Sequence, residues 1–130
     1  MNEILFLVSR ILVGGYFLMN GINHFRYTAM MVPYTQSKGV PMPKLAVLGT
    51  GVLMLVGGLG ILLGVWVSYA VLALIAFLVP VTFIMHNFWT IEDPNQRLMD
   101  MIHFMKNIAL VGAVLAYLAV PMPWAWSVLL

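Results

Sequence analysis

Cysteine is absent from the 130 residues, which excludes disulfides, thiol relays, iron–sulfur ligation and thioether attachment of haem, while leaving the compartment open. Charge is almost as scarce. Only 8% of the chain is Asp, Glu, Lys or Arg, against 63% hydrophobic residues, a balance that no soluble domain keeps. The six Lys and Arg residues nowhere cluster, so the net charge of +2 makes no case for nucleic acid. No HxxH, HxxxH or ExxH pair occurs, so a metal site would have to draw each ligand from a separate element, and neither metal nor haem is expected. There is also no glycine-rich phosphate loop.

What the chain does have is apolar length. A span of the bilayer needs roughly 20 apolar residues, so 130 residues hold four spans with short connections and no room for a soluble domain. The fold class expected is therefore all-α: one transmembrane domain over residues 1–130, an integral membrane four-helix bundle with spans at about 4–24, 44–64, 68–88 and 94–120. Arg10 interrupts the first apolar run and no small-x-small cleavage site follows, so this run reads as a retained span. The loop after it, about twenty residues, carries the helix breakers Pro33, Gly39, Pro41 and Pro43. From Lys44 to Glu92 no charge intervenes. That stretch divides at Gly64 to Ser68, where glycine can end one helix, Ser68 can cap the next, and Trp66 and Tyr69 suit the membrane interface. Pro80 removes one hydrogen bond from the third span and kinks it. The fourth span is announced by Asp93 as N-cap, Pro94 at the first helical position and Gln96 completing a capping box.

Four antiparallel spans place loops 25–43 and 89–93 on one side, with both termini and the Gly64 to Ser68 turn on the other. Arg26, Lys38, Lys44 and Arg97 all fall on the loop side, so the positive-inside rule puts those loops in the cytoplasm and the termini outside.

Two kinds of residue need a reason to be inside a membrane. Glycines are the first. Gly14 and Gly21 share a helical face with Arg10, and Gly60 with Gly64 forms a GxxxG pair; missing side chains let backbones approach, either within the bundle or at a face between copies. The eleven methionines read as flexible apolar filling. Polar groups are the second. Arg10 lies about 21 Å along the helix from His24, so the two cannot serve one small site. It either snorkels, with Glu3 as a partner, or contacts an anion, lipid or quinone. His24 closes the first span and His86 and Asn87 close the third. Asp100, His103, Lys106 and Asn107 lie along the first turns of the fourth. All of these share one leaflet. They are either interfacial residues, with Asp100 paired to Lys106 or Arg97, or a pocket for an amphipathic ligand entering from the lipid. In the second case His and Lys donate to a carbonyl, Asn orients it, and Phe88, Trp89 and Phe104 form apolar walls. A quinone head group fits, and histidine can pass protons near neutral pH.

Arg10, Gly14, Phe17, Gly21 and His24, then His86-x-Phe88-Trp89 and Phe104-x-Lys106-Asn107, with Gly112, resemble the DoxX family of small four-helix membrane proteins. The resemblance implies a quinone-linked or redox-stress role in the cytoplasmic (inner) membrane of a prokaryote. The family takes its name from subunits of a terminal quinol oxidase and includes relatives of the membrane subunit of thiosulfate:quinone oxidoreductase. The expectation is a subunit that binds ubiquinone or menaquinone through His24, His86, Asn87, His103, Lys106, Asn107 and Arg10. Any oxidoreductase activity would come only together with a partner subunit, and the expected partners are membrane lipid and a larger membrane redox complex or a homo-oligomer. The alternative is a non-catalytic scaffold or assembly factor docking through its glycine face and long first loop.

Overall fold

The computed structural model describes residues 2–128, all helix and connection with no strand among them. Five α-helices occur in chain order: α1 (Glu3–Arg26), α2 (Thr28–Ser37), α3 (Pro43–Leu63), α4 (Val67–Met85) and α5 (Pro94–Ala116). Short 3₁₀ turns at Phe88–Thr90 and Tyr117–Ala119 extend the last two. Four of these segments are long and apolar enough to cross a membrane.

Local chemistry sets most of the boundaries. Asn2 caps α1, its side-chain oxygen accepting from the backbone N–H of Ile4 at 3.1 Å and Leu5 at 3.2 Å. Gly64 ends α3 in the left-handed region at φ 68°, a conformation open to glycine without steric cost. Asp93 accepts from the N–H of Gln96 at 3.4 Å and Pro94 takes the first helical position. Only half of the expected capping box forms, because the Gln96 amide turns away and donates to Asp100 at 3.4 Å.

Two expectations need correction. Ser68 does not cap α4; Trp66 holds that position, without a side-chain hydrogen bond, in the left-handed region at φ 45°. The chain must reverse within Gly64 to Trp66, which leaves Ser68 already inside the helix. The first connection is not a plain loop either. It contains α2, with Pro33 inside the helix. Pro33 deletes one backbone bond, but packing against α3 and burial of Thr35 hold the segment helical, an instance of tertiary contact overriding propensity.

Packing follows the glycines. The buried face of α1 is Arg10, Gly14, Phe17 and Gly21, and it lies antiparallel along α3. A Cβ on Gly14 would stand 2.9 Å from the Gly58 carbonyl, and one on Gly21 would stand 3.1 Å from that of Gly51. The seven-residue spacing on one helix thus meets the same spacing on the other. A second α3 face, Gly57 and Gly60, receives Leu74 and Ala70 of α4. The GxxxG glycines are consequently used inside the bundle: Gly60 meets Ala70, and Gly64 faces Arg10, Trp124 and Ser127.

Arg10 is the second device holding α1 to α3. It is 1% exposed. Its guanidinium donates to the carbonyls of Ile61 (3.2 Å), Leu62 (2.8 Å), Ala125 (2.7 Å) and Trp126 (3.4 Å), and lies 5.3 Å from the Trp124 ring. The last turn of any helix leaves four carbonyls without intrahelical partners. Here Gly60 accepts from Val65, Ile61 and Leu62 from Arg10, and Leu63 from Val128. Every one is satisfied, as a membrane interior demands, and the cation sits at the negative end of the helix dipole. Arg10 therefore neither snorkels nor pairs with Glu3.

Helices pack in the row α1, α3, α4, α5, with α2 lying against α3. Among the described residues α1 and α5 form no extended contact with each other. At the termini end α1 meets the segment that follows α5: the Ser9 hydroxyl lies 2.6 Å from that of Tyr117, and Phe6 packs against Tyr117 and edge-on against Trp124. Farther toward the loop side, Tyr16 of α1 and Lys106 of α5 face each other at 5.9 Å across an open space.

Candidate functional site

Between α1 and α5 lies a cavity of about 380 Å³, within the size range of small-molecule sites. Tyr16, Asn20 and His24, spaced four apart on α1, form one wall; His103, Lys106, Asn107 and Leu110 of α5 form the other. The back is α3 (Val47, Thr50, Met54) and α4 (Phe77, Leu78, Val81, Met85), and Met31, Tyr34 and Thr35 of α2 roof it on the loop side. Tyr16 lies eight residues before His24, so at about 1.5 Å per residue the cleft reaches roughly 12 Å down the helix. Its apolar lining far exceeds its polar lining, and the polar groups are few and convergent.

The side chains differ in how far the protein already satisfies them. His24 places Nδ1 2.9 Å from the Val47 carbonyl and 3.1 Å from Thr50 Oγ1, which itself donates to Ala46 at 2.7 Å. His86, the C-cap of α4, places Nδ1 3.2 Å from Asp100 Oδ1. Asp100 is 2% exposed and also receives Gln96 and the Lys38 ammonium, the latter at 3.6 Å. The His103 ring lies 5.0 Å from that of His86. Lys106 is exposed and has no salt bridge among the described residues; its ammonium lies 5.9 Å from the Tyr16 ring across the cleft. Asn107 is 6% exposed, yet its amide makes no hydrogen bond to the described protein.

The roof is fastened separately. Lys38, just past α2, donates to Asn87 Oδ1 at 3.1 Å as well as reaching Asp100. The Tyr34 hydroxyl donates to the Met85 carbonyl at 3.4 Å. Burial, with the Asp100 carboxylate nearby, pushes that hydroxyl's pKa above its ordinary value, so it stays a neutral donor.

Of the expected site residues, the structure brings His24, His86, His103, Lys106 and Asn107 around one cavity. Asn87 does not line it; its oxygen is taken by Lys38. Arg10 lies at the opposite end of the bundle with its donors engaged by carbonyls. Asp100 pairs with Lys38 and His86 rather than with Lys106 or Arg97. Phe88, Trp89 and Phe104 are not cavity walls but form, with Phe83, an aromatic cluster joining the 3₁₀ turn to α5. Sequence reasoning passed over Tyr16, Asn20, Thr50, Tyr34 and Lys38. The four-residue step from Tyr16 through Asn20 to His24 was a usable signal; nothing in the sequence ties Lys38 to α5.

Four long apolar helices built around glycine contacts, with a polar cleft between the first and the last, define a small multi-span helical membrane protein. A family model described as DoxX matches residues 5–87, and the chain belongs to the DoxX family, as an integral membrane protein. Comparison with curated proteins and with solved structures gives no match. The matched stretch covers α1 to α4; the contribution of α5 to the cleft stands on its geometry.

Proposed function

We propose that this chain binds an amphipathic, membrane-dissolved ligand of the quinone class in the cleft between α1 and α5, as the ligand-holding subunit of a larger membrane redox assembly. The observation that carries this reading is Asn107. A carboxamide that is nine-tenths buried in a membrane protein normally finds a protein partner, because an unpaired polar group in an apolar medium costs several kcal/mol. Asn107 lines the cavity without one among the described residues, and since no sealed side-chain nitrogen or oxygen there lacks a partner, its amide opens onto the cavity; beside it stands the Lys106 ammonium, which has no salt bridge among the described residues. Both can donate to a carbonyl oxygen. The apolar back wall accepts a ring, and the gap between α1 and α5 lets an alkyl tail leave sideways into lipid. Ubiquinone and menaquinone share these features.

In this reading the cysteine-free chain holds the ligand, and electrons are exchanged with it through a partner subunit. With Arg26, Lys38, Lys44 and Arg97 at the loop end, the positive-inside rule orients loops 25–43 and 89–93 to the cytoplasm of a prokaryotic inner membrane and the termini outward.

The test is binding of an alkyl-tailed quinone analogue to the protein in lipid nanodiscs. Asn107→Leu and Lys106→Ala should each weaken it at least about tenfold, the scale of one lost buried hydrogen bond, without loss of thermal stability. Unchanged affinity in both variants rules the reading out.

A further inference from the structure

Two imidazoles in the cleft have had their tautomers chosen by the protein. The Val47 carbonyl can only accept, so at 2.9 Å the Nδ1 of His24 must carry the hydrogen. A lone pair there would face another lone pair, and Thr50 directs its own hydrogen at the Ala46 and Val47 carbonyls. The same holds for His86, whose Nδ1 faces Asp100. Asp100 also collects a donor from Gln96 and the charge of Lys38, which marks it as an ionised acceptor. In the neutral rings both Nε2 atoms are therefore bare acceptors, and neither has a partner in the described protein. For His86 the arrangement goes further: a buried carboxylate behind the ring fixes its orientation and stabilises the imidazolium that forms if Nε2 takes a proton. This is the carboxylate–imidazole logic of a general base.

We infer that the cleft recognises its ligand through a phenol-type hydroxyl, which it deprotonates: Asp100 positions His86 as the proton acceptor, and Lys106 receives the resulting oxyanion. The inference rests on the cleft being a ligand site. In the step the ligand's O–H bond breaks, an Nε2–H bond forms on His86, the bonding pair stays on the ligand oxygen, and no oxidation occurs. The site's net charge is unchanged. The imidazolium lies against the Asp100 carboxylate, and the oxyanion lies against the Lys106 ammonium, which has no salt bridge among the described residues. A ring bearing only carbonyl oxygens cannot use either histidine in this tautomer. The hydroxylated member of a quinone-class pair can. The groups that face His86 are Asp100, His103 and Lys106 from α5, Tyr34 and Lys38 from the roof, and His24 from across the cavity, and they set the pH at which the proton moves.

The test uses an alkyl-tailed nitrophenol, whose phenolate absorbs in the visible, and its methyl ether, which can neither donate nor ionise. Both are titrated into the full chain in nanodiscs. The phenol should bind about tenfold tighter than the ether. Bound, it should ionise about one pH unit lower than in protein-free nanodiscs, a tenfold change in its acid constant. Asp100→Asn should shrink that shift and Asp100→Glu should keep it. Lys106→Met, which removes no protein hydrogen bond, should shrink it in a chain as stable as the parent. If phenol and ether bind alike and compete with each other while the ionisation does not move, the proton-accepting role is wrong and the cleft remains a ligand site. A shift abolished by Lys106→Met but untouched by Asp100→Asn also overturns the role given to Asp100 and His86. If neither compound binds, the ligand reading itself fails and takes this inference with it.

Discussion

Arg10 and Asn107 represent opposite ways of keeping a polar side chain inside a membrane. Arg10 is satisfied entirely by backbone: four carbonyls, two of them from the last turn of α3 and two from the C-terminal segment. Such partners leave no mark in a sequence, since any residue supplies a carbonyl, and this is why position 10 reads as a snorkelling cation until the fold is seen. Replacing it orphans those carbonyls in an apolar environment. Arg10→Met is expected to destabilise the bundle by about 3 kcal/mol or more, read as a lower unfolding midpoint in detergent, and Arg10→Lys should recover only part, since one ammonium cannot span both carbonyl pairs. A midpoint unchanged in Arg10→Met would mean that water or lipid serves the carbonyls equally well. Asn107 and Lys106, by contrast, are recognisable from sequence as polar residues one turn apart from His103, although their lack of partners is not. Lys38 shows the limit of such reading: its contacts with Asn87 and Asp100 lie 49 and 62 residues away, and no local pattern predicts them.

Among the helices, legibility follows how local the cause is. The start of α5 is written in Asp93 and Pro94, and the end of α3 in Gly64, because capping and left-handed backbone are decided within a few residues. The helix α2 is hidden, because Pro33 argues locally against it and only packing on α3 argues for it. Glycine function is legible by position on α1 and only in part on α3. Sequence singled out Gly14, Gly21, Gly60 and Gly64, all of which pack within the bundle, but not Gly58, the α3 side of the tightest α1–α3 approach, where a Cβ would stand 2.8 Å from the Gly14 carbonyl and 2.9 Å from the Leu18 nitrogen. Backbone atoms cannot swing aside, so Gly58→Ala should cost about 1–3 kcal/mol through forced separation of the helices. Gly112 has open space around its Cα, and Gly112→Ala should be neutral or stabilising by up to about 1 kcal/mol, the helix-propensity gain. Comparing the two unfolding midpoints checks the contact map directly; equal effects would contradict it.

For the molecule as a whole, two ends do different work. At the termini end Arg10, Trp124, Tyr117 and Ser9 lock α1, α3 and the C-terminal segment together. At the loop end α1 and α5 part, and the cleft between them gathers His24, His86, His103, Lys106 and Asn107 beneath the α2 roof. Sequence alone delivers four spans and the side on which polar groups gather, because hydropathy and helix direction suffice for both. It does not deliver the gap, since an absence of packing between two helices has no residue pattern. That gap is the central claim, and photolabelling in liposomes tests it most directly, with an alkyl-tailed quinone analogue carrying a photoreactive group on its ring and the labelled residues located by mass spectrometry. The account predicts labels on Tyr16, Asn20, His103 and Leu110 that an excess of the unlabelled analogue removes. Labels scattered over the lipid-facing residues Leu12, Met19, Leu72 and Leu118, unaffected by the competitor, would contradict it.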